Sequence, residues 1–120
     1  MPADQLDMRT VDERVFDVRN MVPGQPNELV QRSSADLCFE AATQLIARLG
    51  WEKDSITGLI MVTQSPDYFL PSSSCMVHKW LGLKDECAAF DVGLGCSGYP
   101  YGLYLAASML KAGGQQRILM

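Results

Sequence analysis

Ala88-Ala89-Phe90-Asp91-Val92-Gly93-Leu94-Gly95-Cys96-Ser97-Gly98-Tyr99 is the stretch whose reading decides the fold. It opens as a short buried strand, passes through a tight glycine turn that carries a cysteine, and runs into a long apolar helix over 98–112. A side chain at such a turn stands at the end of a sheet, with free helix amides aimed at it. Those amides and the helix dipole favour a thiolate. They can also hold the oxyanion that forms when a thioester carbonyl is attacked. Gly95 before the cysteine and Gly98 after it permit the sharp turn and a close substrate approach. This is the logic of a nucleophile elbow with sulfur in place of oxygen. The competing reading is a small core residue, because cysteine is among the most buried residue types. The local pattern alone leaves both open.

Working outward, Leu59-Ile60-Met61-Val62 is a continuous apolar run bounded by Gly58 and by Gln64-Ser65-Pro66. Its length and composition predict a strand buried on both faces, as in parallel α/β sheets. Upstream, Ser33-Ser34-Ala35-Asp36 is a helix start, with a hydroxyl to accept from a first-turn amide and an acid at the positive end. Cys38, Ala42, Leu45 and Leu49 then recur at helical spacing, and Leu37, Ala41 and Ile46 widen the stripe. Gly50 follows as the stop, with Arg48 in the last turn. Between the first strand and Cys96, residues 66–71 form a loop. Ser72 to Ser74 open a second helix that carries Cys75, Met76, Lys79 and Trp80 and ends at Gly82. Residues 87–92 are the next strand. The helix over 98–112 is apolar nearly all round and is expected to be central. Its small residues Gly98, Gly102 and Ala106, spaced four apart, leave a groove for a close neighbour. Gly113-Gly114 end it, and Arg117-Ile118-Leu119-Met120 begins another strand. Helix, strand, helix, strand, helix, strand predicts an α/β fold with a mainly parallel sheet and helices on both faces. Residues 1–32 are expected to be an arm or surface segment, with Arg14-Val15-Phe16-Asp17-Val18 as a short strand and Pro23-Gly24-Gln25-Pro26-Asn27 as a loop.

The totals bound the function. The 120 residues suit one domain, and an apolar fraction of 48% excludes overall disorder. Fourteen acids against ten bases, with no basic run, make nucleic acid a poor partner. No apolar stretch reaches the roughly 20 residues of a membrane span. The four cysteines, Cys38, Cys75, Cys87 and Cys96, form no metal-ligand spacing, and no metal site is expected. The opening residues are acidic and polar, unlike a secretory signal, so free thiols in the cytoplasm are expected. Cys75 and Cys87 read as buried thiols, Tyr99, Tyr101 and Tyr104 as core and interface packing, and Asp91 as a structural acceptor for loop amides. Ser97 is not the nucleophile, since Cys96 holds the turn. The single histidine, His78, reads as a helix-surface or interface residue and not a general base.

The stretch 89–99 with Tyr101-Gly102-Leu103 resembles the active-site region of β-ketoacyl-acyl-carrier-protein synthase III, a condensing enzyme of the thiolase fold. The resemblance continues through Glu40-Ala41-Ala42 in the first helix. It includes Ile60-Met61-Val62-Thr63, Ser65-Pro66-Asp67-Tyr68 and Leu70-Pro71-Ser72-Ser73-Ser74-Cys75, and ends with Lys111-Ala112-Gly113 and Arg117-Ile118-Leu119. It covers roughly residues 33–120 in order. The resemblance implies a partial thiolase-like domain over 33–120 with the family's C-terminal half absent. It implies Cys96 as the acyl-accepting nucleophile and no cofactor, coenzyme A thioester being the substrate. It also implies acyl-coenzyme A and malonyl-acyl carrier protein as partners, within a homodimer. Leu70 falls where many members have a phenylalanine that reaches across the dimer into the neighbour's acyl pocket. Gly93 and Gly95 stand where alanine is common. The segment 9–14 only weakly echoes the family's arginine-rich coenzyme A region, so no binding residue is assigned there. The family pairs its cysteine with a histidine and an asparagine from its second half, and neither has a match here. Two alternatives stay open: a non-catalytic structural or dimerisation piece of a synthase, and a cysteine-nucleophile thioester hydrolase.

Overall fold

The computed structural model describes residues 33–120. The arm, strand and loop expected within 1–32 lie outside the described residues. The element order is α1 (Ser34–Leu49), a short 3-10 turn (Lys53–Ser55), β1 (Gly58–Val62), α2 (Ser73–Leu81), β2 (Ala88–Val92), α3 (Gly98–Ala112) and β3 (Ile118–Leu119). The three strands form one sheet in the order β2-β1-β3. Both pairings are parallel, with Gly58 opposite Ala88 and Val62 opposite Val92 on one side of β1, and Gly58 opposite Ile118 on the other. Parallel neighbours need a crossover, and α2 and α3 supply the two crossovers.

Alternation along β1 sends Leu59 and Met61 to one face and Ile60 and Val62 to the other. Leu59 and Met61 join a core with Ala35 and Ile46 of α1, Val77 and Leu81 of α2, and Leu119 of β3. Val62 meets α3 on the opposite face. Helices therefore cover both faces, and β1 is buried from Gly58 to Met61, as its unbroken apolar run requires.

The first helix begins and ends at the residues its sequence marks. Ser33 Oγ accepts from the Asp36 amide at 3.1 Å, and Asp36 Oδ2 accepts from the Ser33 amide at 3.1 Å. This reciprocal box satisfies two first-turn donors. Gly50 closes the helix at φ 63°, a left-handed conformation that favours glycine. The inward stripe is narrower than the spacing predicted. Ala35 and Ile46 are buried and Cys38, Phe39 and Ala42 pack against the core, whereas Leu37, Leu45 and Leu49 are exposed. The helix packs on α2 and the sheet through Ala35, Cys38, Phe39, Ala42 and Ile46, which leaves the leucines outward.

The helix expected to be central is not enclosed. Only Gly98 and Gly102 of α3 are buried, and Tyr99, Tyr101, Leu103, Tyr104 and Leu110 are exposed. Its fully buried positions are glycines, with Leu105, Ala106 and Met109 half-buried, so the helix start lies close on the sheet and its tyrosines point away. The tyrosines are therefore not core residues in the described chain.

Two carboxylates hold the helices at the end of the sheet where the strands finish. Asp91 of β2 accepts from the Ser73 amide at 3.0 Å and the Ser74 amide at 2.8 Å, the first turn of α2. Asp67, in the loop after β1, accepts from the Ser34 amide at 3.0 Å and the Ala35 amide at 2.8 Å, the first turn of α1. Each carboxylate satisfies donors that a helix leaves unpaired, and its charge complements the positive helix end. The structural role expected for Asp91 is thus that of a remote helix cap. Asp91→Ala leaves two part-buried amides without their acceptors and is expected to cost about 2–3 kcal/mol. Urea unfolding of the full-length protein checks this, and a loss under about 0.5 kcal/mol contradicts it.

Candidate active site

The elbow is built where β2 runs out. After Val92 the Leu94 amide donates back to the Val92 carbonyl at 3.1 Å, which bends the chain out of the strand. The Gly98 amide then donates to the Gly95 carbonyl at 2.8 Å, which closes a tight turn around Cys96 and Ser97. Ser97 is the residue before α3 and caps it with no side-chain hydrogen bond. Cys96 sits one residue further out and is exposed. The core-residue reading of Cys96 is therefore overturned, and its thiol stands beside the positive end of a helix of 15 residues.

Val62 sets the position of that helix. A Cβ on Gly98 would lie 2.5 Å from Val62 Cγ1, and a Cβ on Gly102 would lie 2.9 Å from Val62 Cγ2. The two methyls of one valine at the end of β1, with Met120 Sδ beside Gly102, thus fill the space that two glycines leave open. The groove predicted from the small-residue spacing exists, and the sheet occupies it. Gln64 Oε1 lies 2.5 Å from where a Cβ on Gly95 would be, so a second side chain from the same strand end covers the residue before Cys96. The far end of a glutamine can swing aside, whereas the valine is fixed by its backbone.

The other cysteines differ by surroundings. Burial pushes the Cys87 thiol up from its ordinary value. Burial, and then the negative charges of Asp67 and Asp91, push the Cys38 thiol up. A raised value keeps a thiol protonated and unreactive. Cys87 is buried as expected, but Cys75 is exposed, on the outer side of α2, with Ser72 Oγ donating to its sulfur at 3.1 Å. No group of three or more His, Cys, Asp or Glu among the described residues is placed to hold a metal ion. No helix among them is long and apolar enough to cross a membrane.

His78 is not brought to the thiol. It lies in the last turn of α2, its Nε2 is 2.9 Å from the Lys84 carbonyl, and that carbonyl precedes the start of β2. Cys96 follows the other end of β2, so the strand's length, about 16 Å at 3.3 Å per residue, separates the two. Leu70 stands at the tip of the loop between β1 and α2 and is 77% exposed; Phe69 beside it is 92% exposed. The structure also shows what the residue pattern did not single out. A mostly apolar hollow of about 420 Å³ runs between α1, β1 and the start of α3, lined in part by Cys38, Ala42, Leu45, Met61, Gly95 and Tyr99. The capping role of Asp67 was hidden as well. The available signal was an acid in a Ser-Pro-Asp turn, with serine-led helix starts both before and after it.

Two outcomes follow from this geometry. Alkylation by iodoacetamide near pH 8, resolved by peptide mass, is expected to label Cys75 and Cys96 well before Cys38 and Cys87; equal rates at all four contradict the burial pattern. Gly98→Ala is expected to cost about 1–3 kcal/mol and to displace the elbow, because Val62 cannot move away. Combining it with Val62→Ala is expected to restore most of the lost stability, which a double-mutant cycle measures.

No family model matches the chain. A putative 3-oxoacyl-[acyl-carrier-protein] synthase 3 of Campylobacter jejuni is 46% identical over 79 residues, which cover 66% of this chain and 22% of that protein. A β-ketoacyl-[acyl-carrier-protein] synthase III of Campylobacter fetus is 34% identical over 118 residues, covering 88% of this chain and 36% of that protein. In three dimensions the chain superposes on the crystal structure of a 3-oxoacyl-(acyl-carrier protein) synthase from Burkholderia xenovorans with a TM-score of 0.72 and 37% identity, over 96% of this chain and 32% of that one. The chain thus spans about a third or less of the proteins it matches. The partial thiolase-like α/β fold expected from the resemblance stands. With sequence and backbone agreeing across the strands, the crossover helices and the cysteine turn, the chain belongs, over the segment it spans, to the β-ketoacyl-[acyl-carrier-protein] synthase III family.

Proposed function

We propose that Cys96 is the acyl-carrying nucleophile of a condensing enzyme to which this chain contributes the elbow. The observation that carries the reading is the exposed thiol at the start of α3, in a chain that matches named synthases on both sides of it. In the first step the Cys96 sulfur attacks the carbonyl carbon of an acyl-coenzyme A. The carbon–sulfur bond to coenzyme A breaks, and the coenzyme leaves as a thiol with the proton that Cys96 gave up. The helix amides beside the turn suit the oxyanion of that attack. In the second step malonyl-acyl carrier protein loses carbon dioxide. The carbanion so formed attacks the acyl carbon and expels the Cys96 thiolate, which gives a β-ketoacyl-acyl carrier protein.

No residue of 33–120 serves as the base for the second step in this reading. His78 is held at the opposite end of the strand. A histidine and an asparagine from the family's second half would supply that chemistry. Leu70 is read as a contributor to the acyl pocket of a partner copy, which its exposure at a loop tip suits. The distance of His78 from Cys96 favours a second reading for residues 33–120 taken by themselves, that of a structural or dimerisation piece. In that reading these residues fold, dimerise or sit beside an intact subunit and carry out no chemistry of their own.

The test is intact-mass measurement of the full-length protein after incubation with acetyl-coenzyme A. An added acetyl group is expected in the wild type and is expected to be lost in Cys96→Ala. No adduct in the wild type, or an adduct that persists in the variant, overturns the reading.

A further inference from the structure

The loop after β1 is fastened at both ends and projects between them. On its first side, Asp67 accepts from the Ser34 and Ala35 amides of α1 at 3.0 and 2.8 Å, and Ser34 Oγ donates to the Ser65 carbonyl at 3.0 Å. On its far side, Asp91 accepts from the Ser73 and Ser74 amides. The two fastenings are joined, because the Asp67 amide donates to Ser73 Oγ at 3.2 Å. Ser73 is fully buried, so this joint lies inside the protein and not in a mobile surface turn. Between the fastenings, Phe69 and Leu70 stand out, 92% and 77% exposed. Asp91 belongs to β2, the strand that ends at the Cys96 turn. The loop tip and the nucleophile are therefore tied to one rigid strand through charge-assisted hydrogen bonds, which are about twice as strong as neutral ones.

We propose that Asp67 is a positioning residue that holds the Phe69–Leu70 loop tip in a fixed relation to the Cys96 elbow and thereby sets the acyl-chain-length preference of acylation. The selectivity part rests on the reading of Leu70 and Cys96 given above; the holding part rests on the hydrogen bonds alone. A carboxylate is needed because it accepts from two helix amides at once. An asparagine offers one acceptor oxygen and points its amide donors at the second N–H, so one bond is lost.

Two measurements on the full-length protein separate the parts. The first is limited proteolysis with chymotrypsin, which cuts after Phe69 when the loop yields. Asp67→Asn is expected to raise the cleavage rate about ten-fold, in line with the loss of one charge-assisted hydrogen bond. Ser34→Ala, a mild surface change, is expected to raise it by a smaller factor. The second is the ratio of Cys96 acylation rates with acetyl- and octanoyl-coenzyme A, read by intact mass. Asp67→Asn is expected to shift that ratio at least three-fold while iodoacetamide alkylation of Cys96 stays within two-fold of wild type. A purely structural role would slow both acyl donors and the alkylation together. Unchanged cleavage in both variants overturns the proposal, as does faster cleavage with an unchanged donor ratio. A wild type that takes up neither acyl group overturns the synthase reading and the selectivity part with it. The cleavage rates then decide whether Asp67 holds the loop.

Discussion

The arrangement depends on one steric fit, the seating of the two Val62 methyls in the gap left by Gly98 and Gly102. A valine on a strand has a stiff side chain, and a glycine on a helix offers no side chain to push back. The contact fixes how near the start of α3 comes to the end of β1, and the position of the Cys96 turn follows from it. The same strand end carries Gln64 over Gly95, so one short segment meets the turn before and after Cys96. Precision at this site comes from backbone closeness and not from a network of polar side chains.

Around that fit, charge does the fastening. The first turns of α1 and α2 both receive a carboxylate from elsewhere in the chain, Asp67 and Asp91. Both helix starts therefore lie at the end of the sheet where the strands finish, the end where Cys96 also stands. Open parallel sheets place their chemistry at that end, where helix N-termini converge. The same carboxylates crowd Cys38, which helps to keep its thiol protonated while Cys96 stands free at the surface. Four cysteines are thereby sorted into different environments by burial and local charge.

Much of this was legible in the residues. The strand at 58–62 announced itself by an unbroken apolar run, and α1 by a serine start and a glycine stop, because those signals are local. The elbow was legible as strand, glycine turn and helix, with Cys96 exposed at the turn. What was hidden depended on partners distant in sequence. The apolar residues of α3 gave no sign of which side would meet the sheet, since the contact uses glycines and turns the tyrosines outward. Leu45 and Leu49 suggested a stripe that Cys38, Phe39, Ala42 and Ile46 take instead. The Ser-Pro-Asp turn around Asp67 did not show which amides its carboxylate would meet, because its donors lie more than thirty residues upstream in the chain.

The parallel register has a consequence for how the chain comes into being. The most apolar strand, Gly58–Val62, is made before either of its neighbours, since Ala88–Val92 and Ile118–Leu119 both follow it. At about 5–20 residues per second of synthesis, β1 waits on the order of seconds for its first partner and longer for its second. During that interval its backbone donors and acceptors are unmatched and its isoleucine, leucine and valine are without cover. Nascent-chain chaperones and the rate of translation through residues 63–92 thus bear on the yield of this protein more than on that of an antiparallel hairpin fold, where a strand meets its partner within a few residues.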